Sequence, residues 1–123
     1  MCPRILVVDD QEAVRYELAS FFEDQGYEII EASSGEEFIE KIRENENIDL
    51  VILDYHMSDY NGLVALEKVR KIPAGEKLKV LMLTTETSKE AKELGKKLGL
   101  KGWLIKPFNL NVMRNALDKI ISE

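Results

Sequence analysis

The chain has 123 residues, 45% hydrophobic and 33% charged, with 7 Gly and 3 Pro, the composition of a single globular domain over residues 1–123. Lys and Arg number 17 against 23 Asp and Glu, a net charge of −6, so phosphate backbones and anionic lipid would repel it; neither nucleic acid nor membrane is expected as a partner. No apolar run reaches the roughly 18 residues of a membrane-spanning helix, the Met-Cys-Pro-Arg start is no signal peptide, and the lone Cys2 cannot pair internally, which points to a reducing cytoplasm.

Short apolar runs alternate with amphipathic stretches five times. The first strand is expected over Arg4–Asp9, where Ile5, Leu6, Val7 and Val8 run without interruption. Unbroken apolarity suits a parallel strand covered on both faces. Glu12–Gln25 carries Val14, Leu18, Phe21 and Phe22 at helical spacing, and Gly26 stops it. Glu28–Ala32 reads as a second strand. Ser34 and Glu37 form a capping box before a helix with Phe38, Ile39 and Ile42. Leu50–Leu53 runs into Asp54 as the third strand. A loop to Asn61-Gly62 opens a helix presenting Leu63, Leu66 and Val69, and Pro73 and Gly75 mark the next turn. Val80–Leu83 is the fourth strand and ends at Thr84-Thr85. Lys89–Leu98 reads as a weaker, polar helix, with Gly95 costing about 1 kcal/mol relative to Ala. Trp103–Ile105 is the last strand, closed by Lys106-Pro107. Val112, Met113, Ala116, Leu117, Ile120 and Ile121 make the face of a final helix.

Five βα units predict an α/β fold, a doubly wound parallel sheet with helices on both faces. Such sheets place their chemistry at the carboxyl ends of the strands. There the chain offers Asp9-Asp10, Asp54, Thr84 and Lys106. Three converging carboxylates repel one another, and a hard divalent cation is the natural remedy; Mg²⁺ takes carboxylate oxygens, waters and phosphate oxygens octahedrally. An ammonium and a hydroxyl opposite could hold the remaining oxygens of a phosphoryl group. The set suits phosphoryl transfer, which depends on positioning and charge neutralisation.

Taken singly, each residue has an ordinary reading. Asp9-Asp10 could cap a helix, Asp54 could be a loop residue, Thr84 a strand-end hydroxyl and Lys106 a solvated charge. Joint placement at the strand ends carries the argument. No glycine-rich phosphate loop follows the first strand. The adjacent aspartates are not the Asp-x-Asp of a haloacid-dehalogenase-type phosphatase. With His56 the sole histidine and Cys2 the sole cysteine, a zinc cluster is excluded.

At these residues the chain resembles the receiver domain of two-component response regulators. The marks are Val-Val-Asp9-Asp10, Leu-Asp54-Tyr-His-Met-Ser-Asp-Tyr-Asn-Gly62, Leu-Thr84-Thr85-Glu86 and Lys106-Pro107-Phe108, and the likeness spans essentially the whole chain. The resemblance implies a flavodoxin-like, CheY-like (βα)5 sheet of order 2-1-3-4-5. It implies that Asp54 accepts a phosphoryl group from the phosphohistidine of a sensor histidine kinase or a histidine phosphotransfer protein. Asp10, Asp54 and the backbone carbonyl of His56 would ligate Mg²⁺, with Asp9 acting mainly through a bound water. Lys106 would pair with a phosphoryl oxygen, Thr84 would be the switch hydroxyl, and Trp103 stands where the family has a Tyr or Phe switch aromatic. His56 and Glu86 would flank the approach of water to the phosphoryl group, and the Lys106–Pro107 bond would be cis.

Two departures stand out. Ser58 replaces the proline common four residues after the phosphoacceptor, which would loosen that loop, and Trp103 is bulkier than the usual aromatic. The resemblance further implies a phosphoacceptor signalling protein rather than an enzyme, a cytoplasmic monomer. It would be stand-alone and of chemotaxis type, contacting a downstream protein through the fourth helix, fifth strand and fifth helix. A receiver segment of a larger transcription factor or hybrid kinase would read the same. A Mg²⁺-dependent small-molecule phosphatase and a degenerate receiver acting only as a binding module are the alternatives of other classes.

Overall fold

The computed structural model describes residues 2–44, 47–85 and 88–123. Strands β1 (Arg4–Val8), β2 (Glu28–Ala32), β3 (Leu50–Asp54), β4 (Val80–Thr84) and β5 (Gly102–Ile105) alternate with helices α1 (Glu12–Asp24), α2 (Gly35–Glu44), α3 (Gly62–Arg70), α4 (Lys89–Lys97) and α5 (Leu110–Ile121). A 3₁₀ turn over Pro73–Gly75 joins α3 to β4. All strand pairs are parallel and the order is β2-β1-β3-β4-β5. Registers such as Val8↔Leu53, Asp54↔Leu83 and Thr84↔Ile105 align the carboxyl ends along one edge.

The period-2 alternation of strand side chains builds two core layers from one sheet. Leu6, Val8, Val51, Leu53, Val80 and Met82 face α2, α3 and α4, packing with Phe38, Ile42, Leu66 and Val69. Ile5, Val7, Leu50, Ile52, Leu81 and Leu83 face α1 and α5, packing with Leu18, Phe22, Met113 and Leu117. Phe22, Phe38, Ile5 and Leu66 are fully buried, and each such side chain contributes roughly 1.5–3 kcal/mol.

Local signals explain most boundaries. Asn61 accepts from the Val64 amide at the start of α3, Ser88 from Ala91 at α4, and Asn109 from Asn111 and Val112 at α5. Gly26, at φ +91°, turns the chain after α1 in a conformation that L side chains rarely adopt. At α2 the Glu37 amide donates to Ser34 Oγ at 3.0 Å. The return arm of the capping box is displaced by one residue, because Glu37 Oε1 takes the Ser33 amide, at 2.6 Å.

Two expectations need correction. Val112 is 53% exposed: the buried stripe of α5 is Met113, Leu117 and Ile120, and Val112 sits about 100° round the helix from Met113. Gly95 is not merely a weak helix residue. A Cβ there would lie 2.7 Å from Leu100 Cδ1 and 3.5 Å from Trp103 Cζ3, so its absence admits the residues beneath α4.

Candidate functional site

Asp9 and Asp10 follow β1, Asp54 and Thr84 close β3 and β4, and Lys106 follows β5. The aligned registers bring their carboxylates and ammonium into one crevice. One oxygen from each of Asp9, Asp10 and Asp54 lies within 4.8 Å of the others. Lys106 Nζ donates to Asp54 Oδ1 at 2.8 Å and stands 3.8 Å from Asp9 Oδ2. Asp9 and Asp54 are buried, Asp10 is exposed, and Thr84 is wholly enclosed. Thr84 reaches the same edge through its carbonyl, which accepts the Lys106 amide at 2.9 Å. The Lys106–Pro107 peptide is cis, as the resemblance implied.

The helix-cap reading of the aspartate pair fails. The residue preceding α1 is Gln11, and among the described residues no side chain makes a capping hydrogen bond there. Asp9 Oδ1 instead accepts the Gln11 amide at 2.8 Å. Asp9 Oδ2 is buried and makes no hydrogen bond among the described residues. Burial pushes the Asp9 carboxyl up; the Gln11 amide opposes this, Asp54 adds to it, Lys106 opposes it and Asp10 adds to it. A buried carboxylate oxygen without a hydrogen bond, beside two more carboxylates, fits the donor set of a hard divalent cation.

His56 is exposed, its ring edge-on to Tyr55 with centroids 4.8 Å apart. Its Nε2 is 3.2 Å from Thr85 Oγ1, a bridge between the β3–α3 and β4–α4 loops. Glu86, the other residue placed by the resemblance near the path of water, lies outside the described residues. Trp103 is apart from the crevice. It pairs with Met82, packs into the core layer under α4, and its buried Nε1 makes no hydrogen bond among the described residues. One spacing of the strand pleat therefore separates its level from Thr84.

Two contributors escaped sequence reasoning. Arg15 Nη1 donates to the Asp9 carbonyl at 2.7 Å and its Nε to Glu31 at 3.2 Å, pinning the β1–α1 turn. Nothing in its spacing marks it, because its closest partner is a main-chain carbonyl. Asp59 lies inside the quoted motif, but beyond its neighbour Tyr60 the amides it accepts are those of Gly35 and Glu36 in α2, more than 20 residues away.

The family model for the response regulator receiver domain matches residues 5–118, and the chain belongs to that family. Over 119 residues it is 31% identical to the chemotaxis protein CheY1 of Helicobacter pylori, covering 96% of each chain. Among solved structures it resembles the chemotaxis protein CheY4 of Vibrio cholerae, with a TM-score of 0.91 and 34% identity over 98% of this chain and 99% of that one. It also resembles the response regulator TrrA of Thermotoga maritima, solved in complex with Mg²⁺ and BeF, with a TM-score of 0.83 and 31% identity over 96% and 98%.

Proposed function

We propose that the protein accepts a phosphoryl group on Asp54 from the phosphohistidine of a sensor histidine kinase or a histidine phosphotransfer protein, with Mg²⁺ required. The observation that carries the reading is the Asp54–Lys106 contact of 2.8 Å inside a cluster of three carboxylates. An Asp54 oxygen attacks phosphorus, the bond from phosphorus to the imidazole nitrogen breaks, and the imidazole departs with a proton. Lys106 orients the carboxylate before transfer and afterwards neutralises a phosphoryl oxygen. Asp10, Asp54 and the His56 carbonyl would hold the cation directly, and Asp9 would do so through water. The cation would neutralise the charge that three carboxylates and an incoming phosphoryl group bring together. The similar response regulator TrrA was solved in complex with Mg²⁺ and BeF, which supports a Mg²⁺ requirement here.

Thr84, at the crevice edge, is the hydroxyl that would turn toward the phosphoryl group. The output surface would be α4–β5–α5, where Leu94, Ile105 and Val112 each leave at least two-fifths of their surface exposed, one from each element. Such residues suit a protein partner, and the two chemotaxis relatives favour this mode of output. Intact-mass measurement after acetyl phosphate treatment in Mg²⁺ should show one added phosphoryl group, absent in Asp54→Asn and absent in EDTA. Labelling that persists in that variant or without metal would refute the reading.

A further inference from the structure

The loop between β3 and α3 carries the His56 carbonyl, and its base is firmly closed. The Gly62 amide donates to the Tyr55 carbonyl at 2.7 Å, and the Tyr55 amide to Leu83 at 2.9 Å. Between these anchors Ser58 supplies none of the backbone restriction of a proline ring. The tip is held from outside. Asp59 Oδ1 accepts the amides of Gly35, at 3.0 Å, and Tyr60, at 2.8 Å, while Oδ2 accepts the amide of Glu36, at 3.0 Å. Two of these belong to the first turn of α2, whose opening amides have no partner within the helix. Both carboxylate oxygens are therefore committed to backbone, at the helix end where negative charge is favoured.

The neighbouring residue adds a second hold. Tyr60 Oη donates to Glu36 Oε2 at 2.9 Å, and the ring packs so close to α2 that a Cβ at Gly35 would lie 2.6 Å from Tyr60 Cδ2. The Lys68 ammonium stands 5.0 Å from the ring centroid. Burial works to raise the Asp59 carboxyl, but the amides of Glu36, Gly35 and Tyr60 outweigh it and hold it below the ordinary carboxylate value. The acceptor is thus charged throughout the neutral range.

We propose that Asp59 is a positioning residue for phosphoryl transfer: by capping α2 from the β3–α3 loop, it fixes that loop and so places the His56 carbonyl beside Asp54. The inference rests on the phosphoacceptor reading above. The role that ring rigidity would play at Ser58 is taken here by a side-chain tether to the next helix.

The test separates positioning from stability. Isothermal titration with Mg²⁺ and beryllofluoride, run well below the unfolding temperature, compares wild type with Asp59→Ala, Asp59→Asn and Ser34→Ala. Asp59→Ala should bind about tenfold more weakly, the range seen when outer partners of metal ligands are lost. Asp59→Asn keeps Oδ1 as the acceptor for Gly35 and Tyr60 but sets an amide donor against the Glu36 amide, so it should recover only part of that loss. Ser34→Ala removes the cap on Glu37 without touching the loop, so it should lower Tm and leave the affinity unchanged. Gly35→Ala pushes Tyr60 away from the other side and should weaken binding with Asp59 intact; it carries the test should Asp59→Ala unfold. Wild-type affinity in Asp59→Ala and Gly35→Ala, or an equal loss in Ser34→Ala, would overturn the inference while leaving the phosphoacceptor reading standing. Wild-type protein that takes up no beryllofluoride would overturn both.

Discussion

Replacing Asp9 with Asn should make the metal-free protein more stable. Asp9 is 1% exposed, and its Oδ2 makes no hydrogen bond among the described residues. At an effective dielectric of about 20, two unit charges about 5 Å apart repel by about 3 kcal/mol, and opposite charges about 4 Å apart attract by about 4 kcal/mol. Asp10 and Asp54, both within 4.8 Å, therefore outweigh the single Lys106 ammonium at 3.8 Å. Asn keeps an oxygen for the Gln11 amide and discards the charge. After allowance for screening of exposed Asp10, the gain should be about 1–3 kcal/mol. Burial is the largest cause of the raised Asp9 carboxyl, which lies above its ordinary value of 3.8. The native state thus keeps this proton to higher pH than the unfolded chain does. Its contribution is fully present below 3.8 and is lost as pH rises through the raised native value. Urea denaturation in EDTA should accordingly find Asp9→Asn ahead of wild type at pH 7, with the gap shrinking as pH falls toward 4. Saturating Mg²⁺ should narrow the gap at pH 7 by stabilising wild type more. A variant that is no more stable than wild type in EDTA at pH 7, or a gap that widens on acidification, would refute the reasoning.

Lys106→Met removes the 2.8 Å partner of Asp54 and should slow phosphorylation by acetyl phosphate about 10²-fold, the scale of losing one preorganised charge-stabilising donor; stopped mass sampling measures the rate, and a change under threefold would contradict the role. Gly95→Ala should lower stability by about 1–2 kcal/mol despite the gain in helix propensity, because the new methyl meets Leu100; a rise in the urea midpoint would show that Leu100 yields freely. The single tryptophan reports the α4–β5 region, so beryllofluoride with Mg²⁺ should shift Trp103 emission or its acrylamide quenching, and Thr84→Ala should blunt the shift. Unchanged fluorescence with Asp54 occupied would make Trp103 a fixed anchor beneath α4.

The sequence alone determined the five βα units and the residues at their carboxyl ends. Those properties are written locally: an unbroken run such as Ile5–Val8 declares a strand covered on both faces, and Asn61-Gly62 declares the start of a helix. Because parallel strands align their ends, the placement of Asp9, Asp10, Asp54 and Lys106 followed once the topology was known. What tertiary structure decided lies between residues far apart in the chain. Gly95 looks destabilising until Leu100 and Trp103 are seen occupying the space of its missing side chain. Val112 matches the helical spacing, but which face of α5 meets the sheet depends on packing against Leu81 and Leu83. Arg15 bonds the Asp9 carbonyl, and any residue type supplies such an acceptor. Asp59 meets amides 23 and 24 residues away, a partnership no period encodes, since a backbone donor carries no residue identity and only folding brings it within reach.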